Sequence, residues 1–367
     1  METVILMKIV QILPELNEGG VERGVVELNR EYTKKNIDSY VISAGGKLEN
    51  QIIEDGGNHI KFDVCSKNIF SLIPRVIKLK KILKNLNPDI IHVRSRVPAW
   101  LVYFANKSLK IKVVSTVHGF NSVSFYSKIM TKADAVICVS NSIKEYIQKH
   151  YNTADEKITV IARGIDLELF NLNNIDKDFI VNFEEEFNLN NKFIVSSVGR
   201  VTQLKDYETF IKAISLVKKE LPNVTALIVG GVRFDKEDYL NSLKSLIKEL
   251  DLEENIIFTG SQSKIAEIYA LSDVVVSSSK KPESFGRAVA ESIALNTPVV
   301  ATNHGGVKDI ICENENGYFF EVGNDKELAE KIIKSQNLSF DGYNYISKNF
   351  SLENMLSRNI DVYKKGE

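Results

Sequence analysis

The chain has 367 residues, 44% of them hydrophobic and 26% charged, with a formal net charge of −1, which excludes a strongly acidic or basic class and is ordinary for a globular protein. That length exceeds one ordinary core and predicts two domains of ~150–200 residues. Cys65, Cys138 and Cys312 are scattered with no C-x-x-C pair, which fits a reducing cytosol, and no apolar run approaches the ~20 residues that span a bilayer.

Taken in order, strand and helix patterns alternate. The opening Met1–Leu13 is apolar but broken by Lys8, without a cationic start or cleavage site, and reads as a first buried strand and not a signal peptide. Gly19–Thr33 has helical periodicity, and Ser39–Ser43, Asp89–Val93, Lys112–Val117, Ala135–Val139 and Ile158–Ile161 read as short strands with helices between them. After Arg163-Gly164-Ile165-Asp166 an Asn/Asp-rich stretch reads as a linker. A second alternating series follows: strands Phe193–Val198, Thr225–Val229 and Asn255–Phe258, helices Tyr207–Glu220, Tyr239–Leu250 and Ile265–Leu271, then the strand before Ser277 and another at Pro298–Ala301. The βαβα order predicts two Rossmann-like, doubly wound α/β domains with ligands at the carboxyl ends of their parallel sheets, in the cleft between them. The expected boundaries are 1–170, a linker at 171–190, 191–340, and a helical tail at 341–367.

Several strand exits carry residues suited to chemistry. Gly19 and Gly20 open a helix after the first strand, but the order GG-x-x-x-G lacks the dinucleotide fingerprint, and the second strand ends in Ala44-Gly45-Gly46 where a ribose-binding acid belongs. The glycine pair suits close approach of backbone to a phosphate or sugar. His118 ends the strand Lys112–Val117, and Gly305-Gly306 follow a strand end, where they leave room for a sugar or phosphate. Arg200 and Lys205, five apart beyond Gly199, are placed to neutralise a diphosphate without a metal. The stretch Lys281–Glu291 joins a polar loop to a helix. Its Glu283 and Glu291 are at most ~12 Å apart along a helix axis at ~1.5 Å per residue, a span that suits gripping two ends of a sugar–diphosphate–ribose. The helix start offers free N–H groups to phosphate. No His/Cys/Asp cluster has metal-ligand spacing.

Residues 61–112 hold twelve Lys and Arg against Asp63 and Asp89, a local charge of +10. Within them, 69–84 alternates apolar and cationic residues at helical spacing. Such a helix either lies on an anionic leaflet or packs its apolar stripe on the sheet with the lysines in water. The region carries no nucleic-acid motif, and nucleic acid is not expected.

Gly199-Arg200…Lys205, Thr259-Gly260, Pro282-Glu283-Ser284-Phe285-Gly286…Glu291 and Gly305-Gly306-Val307 together resemble the retaining GT-B glycosyltransferases of family 4, the group with an E-x7-E motif. The resemblance runs almost end to end and includes Gly19-Gly20, Thr116–Gly119, Val139-Ser140 and Arg163–Asp166. The first half, with Arg94–Trp100, is similar to bacterial members that build lipopolysaccharide core or related surface glycans. The resemblance implies an acceptor-binding N-terminal domain, a C-terminal domain that binds a UDP-, GDP- or ADP-linked sugar, a last helix crossing back, and a metal-independent, retaining hexosyl transfer to a glycan or lipid-linked acceptor. It implies that Arg200 and Lys205 hold the diphosphate, that backbone near Ser284, Phe285 and Gly286 contacts the donor, and that Glu291 binds the ribose. Glu283 and His118 would meet the transferred sugar, and Gly19 and Gly20 would close on the phosphates. A cytoplasmic enzyme, peripheral at the inner face of the membrane, is expected. Asp206 departs from the family pattern, where glycine commonly follows the lysine, and Arg163 stands where asparagine is commoner. The rival readings are a nucleotide-sugar 2-epimerase and a non-catalytic nucleotide-sugar-binding protein.

Overall fold

A computed structural model describes residues 7–17, 19–233 and 236–365. The chain forms two compact units: one runs up to Gly164 and takes the chain back from Leu352, and the other is Ile165–Ser351.

The first unit contains β1 (Lys8–Ile12), α1 (Gly20–Lys34), β2 (Asp38–Ser43), α2 (Glu49–Glu54), β3 (Asn58–Lys61), α3 (Leu72–Leu86), β4 (Ile90–Val93), α4 (Arg96–Ala105), β5 (Lys112–Val117), β6 (Ala135–Cys138), α5 (Asn141–Tyr151) and β7 (Ile158–Val160). Its seven strands lie in the order β3-β2-β1-β4-β5-β6-β7, and their pairings are parallel. β3 is a strand that the alternation does not reveal, because its four residues, Asn58–Lys61, include a single aliphatic one. Residues 1–6 of the expected opening strand lie outside the described residues.

The second unit contains α6 (Lys177–Glu186), β8 (Phe193–Val198), α7 (Tyr207–Glu220), β9 (Val224–Val229), α8 (Glu237–Glu249), β10 (Ile256–Gly260), α9 (Ile265–Leu271), β11 (Val274–Ser277), α10 (Arg287–Ala294), β12 (Val299–Thr302), β13 (Gly317–Phe320), α11 (Asp325–Ser335) and α12 (Gly342–Phe350). Its strand order is β10-β9-β8-β11-β12-β13, also parallel. Both sheets are fully buried in their centres, as strands covered by helices on two faces must be: β4, β9 and β11 show no exposed position. Two Rossmann-like α/β sheets are therefore present.

Two expected boundaries need correction. Residues 171–190 are not a linker but part of the second unit. The Asn/Asp side chains that suggest a loop act as caps: Asn171 accepts from the Asn173 N–H and Asp176 from that of Phe179, starting α6. Phe183 of α6 is buried against Leu189, Ile194 and Ile268. The tail is likewise two helices. α12 stays with the second unit, its Gly342 packed on α10, and α13 (Leu352–Lys364) alone joins the first. Met355, Leu356, Ile360 and Tyr363 of α13 bury against Ile9, Leu28 and Tyr32. The Tyr363 hydroxyl meets the Tyr32 hydroxyl and His92 Nδ1, both at 2.6 Å. A Cβ on Gly164 would stand 2.7 Å from the Leu352 Cα, so the residue at the crossing has to be small.

Candidate active site

In an open α/β sheet the crevice opens where successive strands begin to add on the other side. In the second unit that point is between β8 and β11, which pair directly although two strands separate them in sequence. The loops leaving these two strands are stitched together. Ser278 Oγ donates to the Lys205 carbonyl at 2.7 Å, and the Lys280 N–H donates to the Leu204 carbonyl at 2.8 Å. The result brings Lys205 Nζ to 2.5 Å from Glu283 Oε1, which also accepts from Ser279 Oγ at 2.7 Å. Burial raises the Glu283 pKa, but the Lys205 charge and the two hydrogen bonds outweigh it and hold the carboxyl below its ordinary range. The pair keeps 28% and 24% of its side-chain surface exposed, so both groups are open to a ligand. Arg200, at the exit of β8, is exposed.

Asp206 explains its departure from the family pattern. Its backbone is left-handed (φ 53°), a conformation glycine adopts at no steric cost, and its carboxylate compensates by accepting from Thr209 Oγ1 at 2.8 Å and pairing with Lys280 at 3.1 Å. With aspartate at this position Lys205 keeps its contact with Glu283.

Glu283 and Glu291 do not share a helix, because α10 starts at Arg287; the helical span estimated for them does not apply. Glu291 is 6% exposed, its Oε1 receives Arg287 Nε at 2.6 Å, and its Oε2 receives the Tyr269 hydroxyl at 3.4 Å. Gly286 precedes α10 with φ 105°, and no side chain caps the start of the helix. Phe285 is buried, with its ring 6.1 Å from that of Phe350, so its side chain is not available to a ligand. Ser284 is half-buried beside it.

Gly305 and Gly306 do not leave room for a sugar or phosphate. A Cβ on Gly305 would stand 2.4 Å from the Glu283 carbonyl, and one on Gly306 would stand 2.5 Å from that of Ser284. Their space is filled by the backbone of the Glu283 loop, which forms a parallel bridge to Gly305 and receives the Gly306 N–H at 2.7 Å.

The first unit has its own switch point, between β1 and β4. Around it lie Gly19 and Gly20, Arg94 to Arg96, and His118 after β5. Arg163, the residue with no sequence-level account, donates to the Gly20 carbonyl and, at 3.3 Å, to His118 Nδ1. Because an arginine only donates, Nδ1 accepts and the neutral imidazole carries its proton on Nε2. Nε2 is buried with no hydrogen-bond partner among the described residues. Burial first, then the charges of Arg163 and Arg94, keep His118 well below the ordinary histidine pKa, hence neutral. Arg94 is also buried, held by Gln11 and by Thr116 Oγ1 at 3.2 Å. His118, Arg94, Ser95, Arg96 and Glu22 line a cavity of about 260 Å³. A neutral imidazole with a ring N–H to donate, in the wall of such a cavity, suits a hydroxyl or carbonyl oxygen of a ligand. Arg94, Arg163 and Ser279 are the site residues to which the sequence assigns no role. The signal for the first was its place at the end of a buried strand, that for Arg163 was its departure from the family pattern, and none existed for Ser279.

Comparison with known proteins fits this division. The Glycosyltransferase Family 4 profile matches residues 18–169, and that of glycosyl transferases group 1 matches residues 179–349. A glycosyltransferase crystal structure from Rickettsia africae is 31% identical with a TM-score of 0.91, covering 99% of this chain and 100% of that one. The capsular polysaccharide biosynthesis glycosyltransferase CapM of Staphylococcus aureus is 29% identical over 338 residues, 85% of this chain and 83% of that protein. Anabaena Alr3699/HepE, solved in complex with UDP and glucose, shares the fold at 21% identity, with a TM-score of 0.83 and coverage of 98% and 100%. The chain belongs to the GT-B glycosyltransferases that join a family 4 domain to a group 1 domain.

Proposed function

We propose that the protein transfers a hexosyl group from a nucleotide-sugar to a glycan or lipid-linked acceptor with retention of anomeric configuration, in the synthesis of a bacterial surface glycan. The observation that carries this reading is the half-buried Lys205–Glu283 pair at the β8/β11 switch point, flanked by Arg200 and the uncapped start of α10. Cleavage of the anomeric bond builds negative charge on the diphosphate and positive charge on the sugar. Arg200, Lys205 and the α10 N–H groups answer the first without calling on a metal, and the ionised Glu283 orients and stabilises the second. Glu291 holds the ribose, and the Nε2–H of His118 donates to the transferred sugar. Gly19 and Gly20, set by Arg163, lie along the phosphates. With a retaining outcome the acceptor attacks on the leaving-group face and the departing diphosphate takes its proton.

The surface-glycan assignment is supported by the capsular polysaccharide role of CapM, and a UDP-linked donor by the complex of HepE with UDP and glucose. Among the described residues no helix is long and apolar enough to cross a membrane. We place the enzyme at the inner face of the membrane because α3 leaves Ile73 and Ile77 70% and 64% exposed among its lysines. The test is a thermal-shift screen of UDP-, GDP- and ADP-sugars, followed by incubation of the stabilising donor with lipid-linked acceptors. One donor should stabilise the protein and give a retained linkage. Free epimerised sugar with no glycosylated acceptor would replace this reading with that of an epimerase.

A further inference from the structure

Beside the polar cavity of the first unit, α3 and α4 enclose a groove of about 580 Å³, within the ~300–1,000 Å³ usual for small-ligand sites. Its walls are Ile69, Leu72, Val97, Trp100, Leu101 and Phe104, and no acidic residue lines it. Helix α4 organises it. Arg96, Trp100 and Phe104 recur every four residues, so they form one stripe ~12 Å long at ~1.5 Å per residue. Trp100 stacks on Phe104 at 5.8 Å and on Tyr126 at 6.5 Å, making a flat aromatic wall. Ile69, opposite, is 73% exposed. The wall belongs to a structured site, yet it is open to water.

Two arginines interrupt this apolar surface. Arg75 is only 7% exposed; it donates through Nε to Ser71 and through Nη2 to the Asn68 carbonyl, while its buried Nη1 has no hydrogen-bond partner among the described residues. A buried guanidinium donor left unpaired costs free energy until something accepts from it. Arg96 donates to Ser127 Oγ at 3.1 Å and lines both this groove and the cavity containing His118, so the two adjoin at its side chain.

We propose that the groove binds the hydrocarbon chain of a lipid phosphate acceptor, with the phosphate on Arg75 and Arg96 and the sugar-bearing end directed into the His118 cavity. The charge pattern requires an anion, the aromatic wall requires a chain, and the shared Arg96 joins them in one molecule. Calling this ligand an acceptor rests on the transferase reading above; the site itself does not.

Trp100 is the single tryptophan of the chain and reports on the groove directly. Farnesyl phosphate, titrated below its critical micelle concentration, should shift Trp100 emission to the blue with saturation. Ile69→Asp, at an exposed position that leaves the core untouched, should weaken that binding at least ten-fold with an unchanged melting temperature. Arg96→Gln should weaken it roughly ten-fold, the loss expected for a charge-assisted hydrogen bond. Farnesol should bind the wild type no better than farnesyl phosphate binds Arg96→Gln. The proposal is overturned if farnesyl phosphate gives no saturable shift, or if farnesol binds as well as the phosphate. It is also overturned if only phosphatidylglycerol vesicles move the emission, which would make this face a membrane-docking surface alone. The titration contains no nucleotide-sugar. A positive titration beside a negative donor screen would therefore remove the transferase reading and keep the lipid site.

Discussion

At the scale of single residues, the site works by pairing buried or half-buried charges so that each is held in a defined state. Glu291 rests on Arg287 and Tyr269, an arrangement that presents a fixed carboxylate. Glu291→Ala should weaken donor binding by ~1–3 kcal/mol, the range for lost charge-assisted hydrogen bonds, as measured by calorimetry. Unchanged affinity in the folded variant would remove Glu291 from the donor site. The histidines give a pH signature. His92 and His118 are held well below their ordinary value of 6.5, by burial and then by Arg94 for His92 and by Arg163 and Arg94 for His118; burial also lowers His59. The unfolded chain takes up protons there that the folded chain refuses, so their stabilisation is complete above pH ~6.5 and is lost as the pH falls below it. Glu283, with its pKa lowered, loses its contribution only in a lower window, below the ordinary carboxylate value of 4.5. Melting temperature should therefore fall between pH 7 and 5.5, and His92→Gln should flatten that slope. An unaltered slope would show that His92 is not part of the cause.

At the scale of elements, α3 shows how one helix satisfies two demands. Leu79 and Leu83 bury on the first unit's core, as every helix of this architecture must, while Ile73 and Ile77 stay exposed beside Lys78, Lys80, Lys81 and Lys84. The two sequence-level alternatives, sheet packing and a leaflet-facing surface, are thus compatible on different faces. Replacing the four lysines with glutamine should reduce binding to anionic vesicles by up to ~1 kcal/mol per residue and leave nucleotide-sugar affinity unchanged. Sedimentation of the variant with vesicles at the wild-type level would reduce α3 to a packing element. α10 and α4 share another feature: neither has a side-chain cap at its start.

At the scale of the whole molecule, the chain passes between its two units twice, and α13 is what the first unit gains from the second passage. Met355, Leu356 and Ile360 fill its core, and Tyr363 completes a buried polar network with Tyr32 and His92. Each buried Leu, Ile or Met removed from a core costs ~2–5 kcal/mol, so losing three at once approaches the whole ~5–15 kcal/mol of a typical domain. Deleting residues 352–367 should therefore abolish hydrogen-exchange protection in β1, β4 and β5 while β8, β9 and β11 remain protected. Retained protection in β4 would show that the first unit is stable without its last helix.

By itself the sequence determined the alternating α/β architecture, the position of nearly every strand, and the set of loops that carry charge. Periodicity and turn residues are local properties, readable within a few positions. The same locality explains the errors: caps at Asn171 and Asp176 read as a linker, and glycines 305 and 306 read as space for a ligand when that space is taken by a loop twenty residues away in sequence. Only the tertiary structure decided the partnerships. Lys205 and Glu283 are 78 positions apart, and they meet because β8 and β11 pair across the switch point; Arg163 reaches Gly20 across 143. A contact of that kind depends on strand order, which the pattern of any single segment does not contain.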